Sequence, residues 1–181
     1  MKIIIVIPCG ISIKRNNKIV VSSSFKLVLD KAINLNDDKS LICIPSGNKF
    51  GFSKSEHQCA QDYLKLNNIE NIFISNYKSS KYIDTFDGIN QLMKEIKYKL
   101  KGQIPTIISY SYQTDRVYIS LKKLEINNFK LIRVKPSNFI YFEFMPIRQI
   151  YYICILTHFF YEIVLKLSYK FLKLKYLRSY I

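Results

Sequence analysis

Apolar residues come along this chain in blocks, and the blocks alternate between two periods. Lys2 to Ile7 is a continuous β-branched run closed by Pro8-Cys9-Gly10, which predicts a strand buried on both faces of a parallel sheet. Ser22 to Ser24 then offer N-caps to a helix whose apolar positions Phe25, Val28, Leu29, Ala32 and Ile33 recur at helical spacing. The unit repeats. Leu41 to Ile44 is a second strand broken by Pro45-Ser46-Gly47, followed by a helix carrying Cys59, Ala60, Tyr63 and Leu64. Asn71 to Ser75 is a third strand, and Phe86, Ile89, Met93, Ile96 and Leu100 mark a third helix ending near Gly102. Pro105 to Tyr110 is a fourth strand, Thr114 to Glu125 a fourth helix with Val117, Leu121 and Leu124 inward, and Lys130 to Val134 a fifth strand.

Strands alternating with helices predict an α/β fold, a Rossmann-like three-layer α/β/α sandwich on a parallel five-stranded sheet. Right-handed crossovers predict a doubly wound layout with the first strand central. After Pro136 the regularity fails. Tyr141 to Tyr161 is aromatic-rich and interrupted at Pro146, and from Glu162 onward Lys166, Lys170 and Lys173 share one helical face. Residues 1–138 are therefore read as the Rossmann-like domain and 139–181 as an aromatic and basic C-terminal helical extension, with no internal repeat or linker to mark a second domain.

With 181 residues, 49% hydrophobic and 23% charged, the chain has the composition of one folded domain and not of a disordered tail. The net charge of +15 favours phosphate-bearing partners, although codon drift in an AT-rich genome would also enrich lysine. Cys9, Cys43, Cys59 and Cys154 form no C-x-x-C pair, and three of them lie in apolar runs, as expected of thiols in a reducing compartment. Neither these nor His57 and His158 cluster as metal ligands, so no metal site is expected and no cofactor is indicated. Met1 to Pro8 is too short for a secretion signal, and Ile150 to Tyr161 falls well short of the roughly 20 residues that span a bilayer. A cytoplasmic protein is expected, with contact at the inner membrane face possible through its basic C-terminal segment.

In open parallel sheets ligands bind beyond the carboxyl ends of the strands. Here those positions are small and polar: Gly10, Ser46-Gly47, Ser55-Glu56, Asp84-Thr85, and Ser109 to Ser111 followed by Gln113 and Arg116. Their order and spacing resemble the bacterial envelope family of YdcF, SanA and ElyC, over roughly Ile3 to Pro136. That family shows a Gly after strand one, Ser-Gly after strand two, Ser-Glu-Ala opening the next helix, Asn-Thr-x-Glu-Asn before the third, and Thr-Ser-x-x-His-x-x-Arg after strand four. Gly10, Ser46, Gly47, Ser55 and Glu56 stand where the motifs have them, Asp84-Thr85-Phe86-Asp87-Gly88 replaces the third-helix motif, and Ser109 and Arg116 keep the hydroxyl and arginine of the last one.

The resemblance implies a role in cell-envelope or surface-polysaccharide metabolism and a phosphate-bearing small molecule as partner, a nucleotide or a polyprenyl-phosphate-linked sugar. Gly10, Ser46, Gly47, Ser55, Thr85, Ser109, Ser111 and Arg116 would bind it, with Glu56 or Asp87 as general base in any reaction. Two departures matter. The motif histidine is Gln113 and its second asparagine is Gly88. Gln113 cannot titrate, so a protein that binds the family's ligand but turns it over poorly is expected.

Each of these residues also has a structural role open to it. Ser53-Lys54-Ser55-Glu56 has capping-box spacing, Asp84 or Thr85 could cap helix three, and Gly47 could serve only a tight turn. Arg116 is harder to explain structurally, because a guanidinium in the first turn of a helix faces the positive end of the dipole unless an anion or carboxylate answers it. Tyr110 and Tyr112 suit the wall of a site, and Cys9 suits core packing better than nucleophilic attack without a histidine nearby. Glu56 and Arg116 both follow strand ends and are expected on one side of the sheet.

Three other functions compete. A non-enzymatic basic module at a membrane surface or on other proteins would use 148–181, whose six basic side chains and one acid give a net charge of +5. A sugar transferase would fit Ile3 to Cys9, but Asp37-Asp38 lies in a loop before the second strand and makes no convincing metal motif. The charge alone would suit a nucleic acid, yet no motif presents a helix or aromatic platform for one, so no specific nucleic-acid partner is expected.

Overall fold

Four helices pack on a sheet of five parallel strands in the computed structural model, which describes residues 1–13, 18–76 and 83–135 together with Ile163 and Leu167. In chain order the elements are β1 (Lys2–Val6), β2 (Ile11–Ile13), β3 (Ile19–Val21), α1 (Ser23–Leu35), β4 (Ser40–Ile44), α2 (Glu56–Leu66), β5 (Ile72–Ile74), α3 (Thr85–Leu100), β6 (Thr106–Tyr110), α4 (Thr114–Lys123) and β7 (Lys130–Val134). The sheet order is β5-β4-β1-β6-β7, with Ile4 opposite Ile42 on one side and Ile5 opposite Ile107 on the other. The expected Rossmann-like α/β architecture is present, with β1 at its centre.

The central position of β1 follows from its side chains. Ile3, Ile4, Ile5 and Val6 are all buried, and successive residues of a strand point to opposite faces, so both faces must be covered. Ile4 and Val6 join Ile42, Ile44 and Ile108 in a core with Phe25, Val28, Leu29 and Ala32 of α1 and Cys59, Ala60 and Leu64 of α2. Ile3, Ile5 and Ile7 join Leu41, Cys43 and Ile107 in a second core with Ile89, Leu92 and Ile96 of α3 and Val117 and Leu121 of α4. Thus α1 and α2 cover one face, α3 and α4 the other.

Three details differ from the sequence pattern. Leu92, not Met93, is the buried member of the α3 stripe, since Ile89, Leu92 and Ile96 form the row that meets the sheet. Helix α4 stops at Lys123 because Glu125 turns left-handed with φ of 60°, which leaves Leu124 as the C-cap. The antiparallel hairpin of β2 and β3, with Ile11 opposite Val21 and Ile13 opposite Ile19, was not expected. Its signal was the alternating Ile11-Ser12-Ile13 and the apolar Ile19-Val20-Val21 on either side of the polar run Lys14 to Lys18.

The C-terminal extension, its helix expected from Glu162 and the basic segment 148–181 lie outside the described residues, apart from Ile163 and Leu167. Among the described residues no helix is long and apolar enough to cross a membrane.

Candidate functional site

Strands β1 and β6 are neighbours, joined beyond their ladder by the Ile7 N–H donating to the Ile108 carbonyl at 3.0 Å. The chain leaves β1 for α1 on one face and leaves β6 for α4 on the other. Loops that diverge from adjacent strands open a crevice at the carboxyl edge, which is where ligands of doubly wound sheets bind.

On the β1 side Gly10 is buried with φ of 119°, a conformation that a side chain would strain, and its carbonyl accepts from the Ser22 N–H at 3.1 Å. Ser22 is the N-cap of α1: its hydroxyl accepts from the Phe25 N–H at 3.1 Å and donates to the Cys9 carbonyl at 3.2 Å. The bond between Gly10 and Ser22 therefore closes the base of the β2–β3 hairpin and sets the glycine turn beside the start of α1.

On the β6 side, Thr114 Oγ1 donates to the Tyr110 carbonyl at 3.0 Å and lies 2.9 Å from Ser109 Oγ. Thr114 has one proton and spends it on Tyr110, so the buried Ser109 hydroxyl donates to Thr114. Ser111 is half-buried, and its N–H binds the Val134 carbonyl at 2.8 Å. Gln113 occupies the N-cap position of α4 but makes no side-chain cap; its Oε1 instead accepts a long, 3.5 Å bond from Arg116 Nη2. Both side chains are buried, at 4% and 5% exposure. Gln113 Nε2 is itself buried and has no hydrogen-bond partner among the described residues.

A second group gathers around the tip of β4, next to β1. Ser46 Oγ donates to the Ser75 carbonyl at 2.8 Å, tying the tip of β4 to that of β5. The Gly47 N–H donates to His57 Nδ1 at 2.9 Å and the Asn48 N–H to Glu56 Oε2 at 2.9 Å, while the Glu56 N–H returns to the Asn48 carbonyl at 3.0 Å. The Asn48 amide pairs with Ile83 in both directions, donating to its carbonyl and accepting from its N–H, each at 2.8 Å. Ile83 precedes Asp84, the N-cap of α3, whose Oδ1 accepts from the Asp87 N–H at 2.8 Å. Thr85 and Asp87 are thus in the first turn of α3, and a Cβ on Gly88 would stand 3.2 Å from the Ser46 carbonyl oxygen. The tip of β4 is held between the first turns of α2 and α3.

This geometry reassigns several residues. The capping box of α2 pairs Ser55 with Gln58, whose Oε1 accepts from the Ser55 N–H at 2.9 Å, and not Ser53 with Glu56. Glu56, buried at 6% exposure, is left to bind the loop after β4. Gly47 is not a left-handed turn residue; it is required because a Cβ there would lie 2.7 Å from Glu56 Cβ. Asp84, not Thr85, caps α3. Glu56 and Arg116 share the carboxyl edge, but α2 and α4 cover opposite faces. Tyr110 belongs to the core on the α1 face and meets Tyr112 edge to face at 5.6 Å. Burial pushes the Cys43 thiol up to about 12 and the Cys59 thiol up to about 11, so neither is a nucleophile at neutral pH. Among the described residues no group of three or more His, Cys, Asp or Glu side chains is placed to hold a metal.

Asn48 escaped the sequence reading, which weighed His57 only as a metal ligand. Each lies within two residues of a motif position, and nothing in its spacing distinguishes it from loop filler. Burial holds His57 below the usual imidazole range, with Lys49 acting in the same direction, and the bond from Gly47 requires an unprotonated Nδ1. The unfolded chain takes up this proton near about 6.5. The folded chain takes it up only at lower pH, so the stability tied to neutral His57 is full above that value and is lost as pH falls through the depressed one. Denaturant unfolding at pH 7.5 and 5.5 checks this: the loss on acidification should be smaller in His57→Asn, which keeps an acceptor for Gly47 but does not titrate.

A scan against protein-family models and a search of curated proteins both found no match for the chain.

Proposed function

We propose that the chain is a YdcF-like protein of cell-envelope or surface-polysaccharide metabolism that binds a phosphate-bearing small molecule in the crevice between β1 and β6. The ligand is a nucleotide or a polyprenyl-phosphate-linked sugar. The observation that carries the reading is the buried guanidinium of Arg116 in the first turn of α4, beside Gln113 at the topological switch point. A phosphate placed there would bond to a rigid planar cation and would itself be favoured by the positive end of the α4 dipole. The N-terminus of α1, whose N-cap Ser22 is bonded to the Gly10 turn, adds backbone dipoles from the other wall.

In this reading Arg116 binds phosphate oxygens and Gly10 lets the backbone approach them. Ser46, Gly47, Glu56 and Asn48 keep the neighbouring loop in place through the hydrogen bonds they already make. The function is binding before chemistry, exercised in the cytoplasm, with the basic segment 148–181 meeting anionic lipid at the inner membrane face.

Calorimetric titration of the full chain with a nucleoside diphosphate, and separately with vesicles containing a polyprenyl phosphate, tests the reading and distinguishes the two ligand sources. Arg116→Lys keeps the charge but loses the planar fork, and should weaken whichever ligand binds by about tenfold to a hundredfold. Failure of both ligands to bind, or equal affinity in the variant, would remove the proposal.

A further inference from the structure

Gln113 offers a hydrogen-bond donor that no described residue accepts. Its amide has one acceptor and two donors on opposite sides, and which side faces Arg116 is set by chemistry: a guanidinium presents only N–H groups, so Oε1 must face it. Nε2 is thereby turned away from Arg116, and it is buried without a hydrogen-bond partner among the described residues. A buried donor left in that state destabilises the fold, and in a native structure such a group calls for an acceptor. The hydroxyls close by bond elsewhere, Ser109 with Thr114 and Thr114 with the Tyr110 carbonyl, and neither accepts from Nε2.

From this we infer that Gln113 is a ligand-reading residue, its Nε2 donating to a phosphate oxygen of the ligand while its Oε1 orients the Arg116 guanidinium toward the same group. The inference rests on the phosphate-binding reading and deepens it. Gln113 then selects an acceptor and rejects a ligand that presents an amine or ammonium at this point. A glutamine here is a binding device, not the remnant of a lost proton carrier. Because the amide does not titrate, the contact it makes is the same across the neutral range, whereas a histidine would donate differently on either side of about pH 6.5.

The test is the isosteric exchange Gln113→Glu in the full chain, read by calorimetric titration with inorganic pyrophosphate and by thermal unfolding. The carboxylate keeps an acceptor for Arg116 but replaces the donor by a negative charge, so affinity should fall by about a hundredfold or more while the unfolding midpoint holds or rises. Gln113→Met, which removes the amide at similar size, should weaken binding by about tenfold. If Gln113→Glu fails to fold, Gln113→Met decides. Both variants binding pyrophosphate as the unmodified protein does, while Arg116→Lys binds it more weakly, would overturn the role of Gln113 and leave the anion site standing. Absence of binding in the unmodified protein would overturn the site, and the role of Gln113 with it.

Discussion

Alanine at Gly47 should destabilise the protein by about 3 kcal/mol, at the upper end of what overpacking a tight interior costs. The added Cβ would lie 2.7 Å from Glu56 Cβ and 2.8 Å from Glu56 Oε2. The first of these is not the end of a flexible side chain, so the loop after β4 or the first turn of α2 must move. Either movement strains the three bonds that join them, from Gly47 to His57, from Asn48 to Glu56 and from Glu56 back to Asn48. Against a total stability of about 5 to 15 kcal/mol this is a large fraction, and it corresponds to a drop in Tm of roughly 6 to 12 °C. A double-mutant cycle with Glu56→Gly isolates the contact. Removing the Glu56 Cβ removes the clash, so Gly47→Ala should cost much less in that background. An equal cost in both backgrounds would mean that Gly47 serves its own backbone and not the approach of α2.

The second large effect is expected at Asn48. Its amide satisfies both backbone groups of Ile83 at 2.8 Å, and no other side chain anchors the approach to α3 in this way among the described residues. Asn48→Ala leaves a half-buried N–H and C=O to find water, and should cost about 2 kcal/mol. The loss should be local as well as global. The Gly88 N–H, which donates to the Asp84 carbonyl at 3.0 Å in the first turn of α3, should exchange with solvent faster in the variant than the Ile96 N–H deeper in the helix. Uniform acceleration along α3 would instead point to a general loss of stability and deny Asn48 a specific anchoring role.

Most of the fold was legible because burial leaves a periodic trace. The isoleucine run of β1 and the apolar stripes of α1 and α4 have the periods that their burial requires. The hairpin of β2 and β3 was less visible, since three residues are too few for alternation to stand out. In α3 both Leu92 and Met93 are apolar, and only the angle at which the helix meets the sheet decides which is buried. The candidate site was legible as a set of small and polar residues after strand ends, but not as an arrangement. Ser55, for example, begins S-x-x-Q while Ser53 begins S-x-x-E, and both are sound capping patterns. Where the helix starts selected Ser55, and that released Glu56 to hold the loop.

The sequence by itself determined the α/β class, the five parallel strands and the central place of β1, because these depend on local period and on the handedness of crossovers. Only the tertiary structure decided how the polar residues at the strand ends divide. Gly10 follows β1 and Gln113 and Arg116 follow its neighbour β6, whereas Gly47, Glu56, Asn48 and Gly88 hold the tip of β4 between two helices. The physical reason is that hydrogen bonds and close approaches are made between segments far apart in the chain. Asn48 finds Ile83, and Ser46 finds Ser75, only after the sheet has brought their strands side by side.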